Sequence, residues 1–185
     1  MTEARVPTGT PALVVTVSDG VAAGVRDDEA GRTLADWLAG LGFEVERVTV
    51  PDDRVAVEGA IRAGAEAHVL IVTTGGTGLT PRDVTPQATL ATLDYEVPGL
   101  AEAMRVAGRA KTPMADLSRG VVGVIGRALV VNVPGSPRAA SESIEALRPT
   151  LRHALETLAG PFDHDAAGAG NAARPDLPDP SVDGS

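Results

Sequence analysis

The chain contains no cysteine among its 185 residues and only four aromatic side chains. The missing thiols exclude a disulfide scaffold, a thiolate zinc or iron–sulfur site and a cysteine nucleophile. Four aromatic rings are too few for a platform on which the bases of single-stranded nucleic acid could stack. The three histidines are scattered over positions 68, 153 and 164, which does not predict a histidine metal site.

Positive charge and long apolar runs are also scarce. The formal net charge is −9 at pH 7, whereas a nucleic-acid-binding domain normally presents a basic face to phosphates. Arg127 interrupts the apolar run of residues 121–133, and no segment approaches the roughly 18 apolar residues of a membrane span. Residues 1–11 contain no apolar stretch typical of a signal peptide. We therefore expect a cytoplasmic protein with neither nucleic acid nor a membrane as its partner.

The composition predicts one domain, residues 12–162, between two loose ends. Residues 163–185 contain five aspartates against one arginine, which accounts for −4 of the net charge, and they have too few apolar residues to form a core. We expect this segment to be a disordered acidic tail, with an acidic docking segment as the alternative. Residues 1–11 are expected to form a flexible N-terminus.

Between these ends, strand patterns alternate with helix patterns. Continuous apolar runs predict buried strands at 12–18 and 68–74, and an alternating pattern predicts a strand at 44–50. Two further strands are predicted at 121–125 and 128–133. Helical spacing and capping residues predict helices at 28–41, 52–65, 86–93, 98–108 and 137–158, with Pro149 as a candidate kink. This order predicts an α/β protein of three layers, α/β/α, with a mostly parallel central sheet. Ligands of such sheets bind outside the carboxyl ends of the strands.

The sequence TTGGTG at residues 73–78 follows the third predicted strand. Its glycines allow tight turns that point N–H groups outward, and its threonines add hydroxyl donors. It therefore predicts an anion cradle suited to phosphate, made of Thr74, Gly75, Gly76, Thr77 and Gly78. A plain turn between a strand and a helix is the alternative. Two common phosphate motifs are absent, since GxxxxGK[ST] does not occur and a proline replaces the third glycine of GxGxxG.

Aspartates follow two of the predicted strands. Asp83 lies just past the cradle in a segment stiffened by Pro81 and Pro86. A carboxylate held near phosphates is suited to Mg²⁺, while capping of the next helix is an equally good interpretation from spacing alone. For Asp52 and Asp53, spacing by itself favours a helix cap over chemistry.

Two further strand ends carry candidate binding residues. Ser18 and Asp19 follow the first predicted strand, where an aspartate is ordinary turn chemistry. The sequence PGSP at 134–137 follows the last strand. There we expect Ser136 to cap the final helix and Pro137 to occupy its first position, which still places backbone donors at the functional edge.

Together these segments resemble the MogA/MoaB family of molybdenum cofactor biosynthesis proteins. The likeness runs from about residue 12 to residue 158, and TTGGTG followed by RDVTP at 82–86 is its most specific part. The shorter pieces contribute through their order and spacing: Ser18-Asp19, Pro51-Asp52, Pro98-Gly99, Thr112-Pro113, Leu117-Ser118-Arg119 and Pro134-Gly135-Ser136-Pro137. Gly20 departs from the Arg or Thr often found after Ser-Asp, so the loop at Ser18 carries little weight.

The resemblance implies a homotrimer that binds molybdopterin and ATP and, with Mg²⁺, forms adenylyl-molybdopterin and pyrophosphate. It implies catalytic and Mg²⁺-binding roles for Asp52 and Asp83, which reverses the capping interpretation of Asp52. The implied substrate-binding residues are Ser18, Asp19, Thr74, Gly75, Gly76, Thr77, Gly78, Pro134, Gly135 and Ser136. Molybdenum-insertion and molybdopterin-synthase proteins are the further partners it suggests.

Other interpretations stay open at this point. The chain could be a non-catalytic molybdopterin-binding or carrier module, or a paralogue that has lost activity, because one fold serves many functions. It could also act on another phosphorylated or nucleotide ligand.

Overall fold

A computed structural model describes residues 5–160. Within them, the strands are β1 (Thr10–Val17), β2 (Phe43–Val50), β3 (Leu70–Thr74), β4 (Tyr95–Glu96), β5 (Val122–Ile125) and β6 (Ala128–Val133). The helices are α1 (Asp19–Ala22), α2 (Glu29–Gly40), α3 (Arg54–Ala67), α4 (Thr85–Leu90), α5 (Pro98–Arg109) and α6 (Pro137–Ala159), with a 3₁₀ helix at Pro113–Leu117.

The strands form one mostly parallel sheet, as predicted, in the order β2-β1-β3-β6-β5-β4. The strands β2, β1, β3 and β6 pair in parallel, whereas β5 is antiparallel to both of its neighbours. Only Gly126 and Arg127 separate β5 from β6, and so short a connection permits a hairpin but no parallel crossover. Gly126 has a φ of +58°, which fits a tight hairpin turn.

Helices cover both faces of the sheet, which confirms the three-layer architecture. On β1, Ala12 and Val14 join the core cluster that contains side chains of α2, α5 and α6. Leu13 and Val15 point to the opposite face and join the cluster with side chains of α3 and α4. Because alternate residues of a strand point to opposite faces, a continuous apolar run fits a strand buried on both sides. Among the described residues, no helix is long and apolar enough to cross a membrane.

Most predicted elements are present, with shifted ends and three omissions. His68 was expected to open a strand, but it ends α3 instead, with its Nδ1 3.0 Å from the carbonyl oxygen of Gly64. The short elements α1, β4 and the 3₁₀ helix were not predicted, because their two to five residues give too little periodicity to recognise. Pro149 does not interrupt α6. It is exposed, as is Glu145 four residues earlier, so water can reach the carbonyl that lacks an N–H partner.

The two ends of the chain fall partly outside the described residues. The predicted acidic tail, residues 163–185, lies there entirely, and so do residues 1–4 of the predicted flexible N-terminus. Within the described part, Val6 is buried against the core and donates its N–H to the carbonyl of Leu41 at 3.0 Å, and β1 already begins at Thr10. The division into one domain with two loose ends stays a prediction.

Asp28 ties α2 to two strands from a buried position. Its carboxylate caps α2 by accepting from the N–H of Gly31 at 2.8 Å, and it also accepts from Thr16 of β1 at 3.0 Å. Arg47 of β2 completes the arrangement with an ion pair of 2.9 Å. Asp53 by comparison makes a single capping bond to Ala56 on an exposed helix start.

Asp28→Ala is therefore expected to cost much more stability than Asp53→Ala. Loss of the cap and of charged hydrogen bonds at Asp28 should lower the free energy of unfolding by about 2–3 kcal/mol, against about 1 kcal/mol for loss of the exposed cap. Urea unfolding of both variants measures the difference. Equal losses would show that the bonds to Thr16 and Arg47 contribute nothing.

Candidate active site

The carboxyl ends of the four parallel strands meet at one edge of the sheet. The register pairs Thr16 of β1 with Thr74 of β3, and Thr74 with Val133 of β6, while Val50 of β2 lies beside Val17. The predicted site segments all follow one of these strands. The sheet therefore brings them together, although they are distributed over more than a hundred positions of the chain.

A cavity of about 580 Å³ opens at this edge. The predicted residues that line it are Ser18, Asp52, Thr74, Gly75, Gly76, Gly135 and Ser136. Sequence analysis missed four charged residues of its wall, which form the run Arg26-Asp27-Asp28-Glu29 that leads into the first residue of α2. Their position shortly after a strand end was the available signal, but the run was interpreted only as the start of a helix.

Backbone packing shapes the glycine-rich turn. Gly75 and Gly76 have φ angles of +100° and +61°, which side chains rarely allow. A Cβ on Gly75 would lie 2.3 Å from the carbonyl oxygen of Val17, and one on Gly76 would lie 2.4 Å from Oγ1 of Thr85. A Cβ on Gly135 would be 3.1 Å from the Cα of Gly75. The turn is therefore wedged against the ends of β1 and β6.

Hydrogen bonds divide the donors of this turn into engaged and available ones. The hydroxyl of Thr74 donates to the carbonyl of Pro134 at 2.8 Å, and the N–H of Gly75 donates to that of Val133 at 3.3 Å. Within residues 5–160, the N–H groups of Gly76 and Thr77 donate no hydrogen bond. The available donors of the cradle therefore include these two backbone groups, which suit an anion.

The two adjacent aspartates after β2 have different roles. Asp53 caps α3, whereas Asp52 points to the cavity. Oδ2 of Asp52 accepts from the N–H of Asp19 at 2.9 Å, and the N–H of Asp52 donates to Oδ1 of Asp19 at the same distance. Among the described residues, Oδ1 of Asp52 accepts no hydrogen bond. The helix cap that the spacing favoured is present, but Asp53 alone provides it and Asp52 does not.

Asp83 does not cap α4, the helix that follows it. The residue at that position is Val84, which makes no side-chain capping bond. Oδ2 of Asp83 instead accepts from the N–H and the hydroxyl of Thr80, at 2.8 and 2.6 Å. Burial raises the pKa of Asp83, but the bonds from Thr80, a backbone bond from Gly78 and the charge of Arg119 outweigh it, so this pKa lies below its ordinary value of 3.8.

Arginines connect the loops around the cavity. Arg82 forms an ion pair with Asp19, which links the loop after β3 to the loop after β1. Arg26 donates to the hydroxyl of Ser18 at 2.6 Å, and Ser18 also caps α1. Asp19 bonds to Asp52 and pairs with Arg82, so it connects Asp52 with the residue that precedes Asp83. No hydrogen bond within the described part of the chain links the carboxylates of Asp52 and Asp83 directly.

A second cavity of about 270 Å³ lies on the other side of the glycine-rich turn. Thr77, Gly78 and Pro134 are the predicted site residues on its wall. The rest of the wall comes mainly from α5, the 3₁₀ helix and the start of α6, and it includes Met104, Leu117 and Ser118. No single sequence segment predicts this cavity, because its lining residues are spread from Thr77 to Ser143.

The start of α6 completes the edge. Ser136 accepts from the N–H of Ala139 at 3.2 Å and Pro137 is the first helical residue, which confirms the predicted cap. A glycine-rich cradle at the carboxyl edge of a three-layer α/β/α domain defines a binding domain for an anionic ligand.

A family model described as a probable molybdopterin binding domain matches residues 13–153. The chain belongs to this family. It is 41% identical over 158 residues to a "Molybdenum cofactor biosynthesis bifunctional protein" of Synechococcus elongatus, a match that covers 84% of this chain and 49% of that protein. The chain thus spans about half the length of its bifunctional relatives.

Other relatives match over most of their length. The "Molybdopterin adenylyltransferase" of Escherichia coli K12 is 33% identical over 180 residues, which cover 88% of this chain and 92% of the relative. The molybdopterin biosynthesis enzyme MoaB of Thermus thermophilus, known from a crystal structure, is 49% identical, with a TM-score of 0.76 over 80% of this chain and 96% of that one. The Mog protein of Mycobacterium ulcerans is 41% identical, with a TM-score of 0.76 over 83% and 99% of the two chains.

Gly75→Ala is expected to destabilise the protein and deform the cradle. The new Cβ would overlap the Val17 carbonyl and force an unfavourable φ, which costs on the order of 1–3 kcal/mol for the backbone alone. Gly59→Ala is the matched control, because a Cβ there meets nothing within 4 Å in the middle of α3 and alanine favours a helix by about 0.5–1 kcal/mol. Thermal unfolding should move in opposite directions for the two variants.

Thr80→Val is expected to raise the pKa of Asp83, because it removes the hydroxyl bond to Oδ2. The lowered pKa means that ionised Asp83 stabilises the fold above about pH 3.8, and that this contribution is lost as the pH falls through the folded-state pKa. The variant should therefore lose stability at neutral pH, and the loss should shrink in acid. Carboxyl-carbon NMR titration measures the midpoint, and an unchanged midpoint would contradict the assignment.

Proposed function

We propose that this chain transfers AMP from ATP to the terminal phosphate of molybdopterin and releases pyrophosphate. The relative named molybdopterin adenylyltransferase, 33% identical and covered over 92% of its length, supports this assignment. The observation that carries it is the position of Asp52. Its carboxylate lies on the cavity wall beside the glycine-rich turn, and its neighbour Asp53 performs the capping that would otherwise explain it.

The reaction needs positioning more than it needs a strong base. A phosphate oxygen of molybdopterin attacks the α-phosphorus of ATP, and the bond from that phosphorus to the pyrophosphate oxygen breaks. The attacking oxygen is already anionic at neutral pH, so what the protein must supply is in-line alignment and neutralisation of charge. The N–H groups of Gly76 and Thr77 are the donors that suit the second task.

The charge of the larger cavity makes a cation necessary. Four acidic residues line this cavity, and Asp28 is paired with Arg47, which leaves Asp27, Glu29 and Asp52 with Arg26 as the one arginine of the same wall. A polyphosphate entering this acidic wall would be repelled unless a cation accompanied it. Mg²⁺ fits this need, because it neutralises phosphate charge and is held by one or two carboxylates together with substrate oxygens.

The side chains present fit such an ion. Within residues 5–160, no group of three or more His, Cys, Asp or Glu side chains could hold a metal by itself, so substrate oxygens would complete the coordination. Asp52 would be the main protein ligand, since its Oδ1 accepts no hydrogen bond from the described residues. Asp83 already accepts two bonds from Thr80 on Oδ2 and lines neither cavity, so its assignment to the same ion rests on the resemblance alone.

The bifunctional relatives favour a second candidate, a non-catalytic molybdopterin-binding module, because this chain spans only about half of their length. Purified protein with molybdopterin, ATP and Mg²⁺ distinguishes the two functions. An adenylyltransferase releases pyrophosphate in step with adenylyl-molybdopterin, whereas a carrier binds molybdopterin without release. The homotrimer, the cytoplasmic location and contacts with molybdenum-insertion and molybdopterin-synthase proteins stay predictions from the resemblance.

Asp52→Asn and Asp83→Asn are expected to lower kcat for pyrophosphate release by about 10²–10³-fold, the usual loss for one group that stabilises transition-state charge. Molybdopterin binding should change little, whereas Asp83→Asn should also lose the stability that the ionised carboxylate contributes at neutral pH. Asp53→Asn is the matched control, because asparagine caps a helix as well as aspartate does. Wild-type rates in either of the first two variants would refute the role assigned to that residue.

A further inference from the structure

Arg119 lies between the 3₁₀ helix and β5, and both of its neighbours in the chain line the smaller cavity. Its backbone N–H donates to the carbonyl of Thr77 at 3.0 Å. Its guanidinium donates from Nε to the carbonyl of Gly78 at 2.6 Å and from Nη2 to the carbonyl of Asp83 at 2.5 Å. One residue thus bonds to the end of the glycine-rich turn and to the residue five positions further on.

The segment between these two carbonyls is a small closed unit. Inside it, Thr80 donates twice to the carboxylate of Asp83, and the N–H of Asp83 donates back to the carbonyl of Thr80 at 3.0 Å. Leu79, Thr80 and Pro81 are exposed. The ion pair of Arg82 with Asp19 is also exposed on both sides, and such pairs contribute little stability. Just beyond the unit, the buried Thr85 donates from its hydroxyl to the carbonyl of Gly75 at 2.9 Å and from its N–H to that of Gly76 at 3.1 Å. The fork of Arg119 is the side-chain attachment within the unit itself, at Gly78 and Asp83.

The geometry requires an arginine. A guanidinium is planar and presents several N–H groups at fixed angles on separate nitrogens, so it can hold two carbonyls at once, whereas a lysine ammonium carries its three rotatable donors on one nitrogen at the end of a flexible stem. Gly78 lines the smaller cavity and Gly76, two residues earlier, lines the larger one. A shift of the segment would move Asp83 relative to both.

We propose that Arg119 is a positioning residue for AMP transfer. Its guanidinium binds both ends of the segment from Gly78 to Asp83 and so keeps Asp83 in a fixed position relative to the phosphate cradle. The proposal rests on the function proposed above. Arg119 acts through Asp83 and the turn, and it touches neither substrate. Ser118 and Gly120, on either side of Arg119, line the smaller cavity. The hydrogen bonds of Arg119 therefore also connect this part of the cavity wall to the glycine-rich turn.

The experiment compares Arg119→Met and Arg119→Lys with the wild type, and uses Arg62→Met as the matched control. Arg62 also donates to a main-chain carbonyl, that of Ala91 at 2.7 Å, but at the far end of α4. Each protein is assayed for kcat and for KM with ATP and with molybdopterin. Amide hydrogen exchange is recorded in parallel at Thr80 and Asp83, whose N–H groups close the segment.

Arg119→Met should lower kcat by about 10²-fold, because misplacement of a reacting group by about 1 Å costs that much, while KM changes little. Arg119→Lys should recover only a small part of this rate, because lysine restores the positive charge but not the pair of hydrogen bonds to the carbonyls of Gly78 and Asp83. Amide protection at Thr80 and Asp83 should fall in both variants. Arg62→Met should keep wild-type kcat and wild-type protection.

Three results would overturn the proposal: wild-type kcat in Arg119→Met, full recovery in Arg119→Lys, or unchanged amide protection in both variants. A failure of the proposed function looks different. In that case the wild-type protein itself releases no pyrophosphate from ATP and molybdopterin, and amide exchange still decides whether Arg119 holds the segment.

Discussion

The contact of Gly75 with the carbonyl of Val17 determines the shape of the site. A Cβ would lie 2.3 Å from that oxygen, so only glycine allows the chain leaving β3 to turn so close to β1. Gly135, after β6, packs against the same glycine from the other side. Three strand ends therefore meet main chain to main chain. Main-chain atoms have no rotamers, so these contacts hold the N–H groups of the cradle in fixed positions. Fixed donors are the condition for a preorganised anion site.

The electrostatics of the site follow from this use of main-chain donors. The carboxylates of the larger cavity outnumber its one arginine, and residues outside the acidic tail still carry −5 of the net charge. Long-range attraction therefore does not bring an anion to this surface. Under the proposed function, local N–H groups, Arg26 and an accompanying cation would bind it, and recognition would depend on the fit of the ligand to the turn.

Local patterns in the sequence predicted a large part of the fold. The apolar runs of β1 and β3 and the helical spacing of α2 and α6 identified long elements correctly, because burial on two faces or on one stripe leaves a regular pattern. Elements of two to five residues, such as α1, β4 and the 3₁₀ helix, left none. The antiparallel pairing of β5 with β6 was readable in principle from the two residues between them, yet the alternation of strands and helices predicts only parallel neighbours.

By itself, the sequence determined the three-layer class, the glycine-rich turn, the cap at Ser136 and the resemblance to a molybdopterin-binding family, because each depends on residues close together in the chain. Only the tertiary structure decided that Asp52 faces the cavity while Asp53 caps α3, and that Asp83 belongs to a unit held by Arg119. These assignments depend on hydrogen bonds between residues 33 to 41 positions apart. Such partners are set by the order and register of the strands, and spacing within one segment carries no information about them.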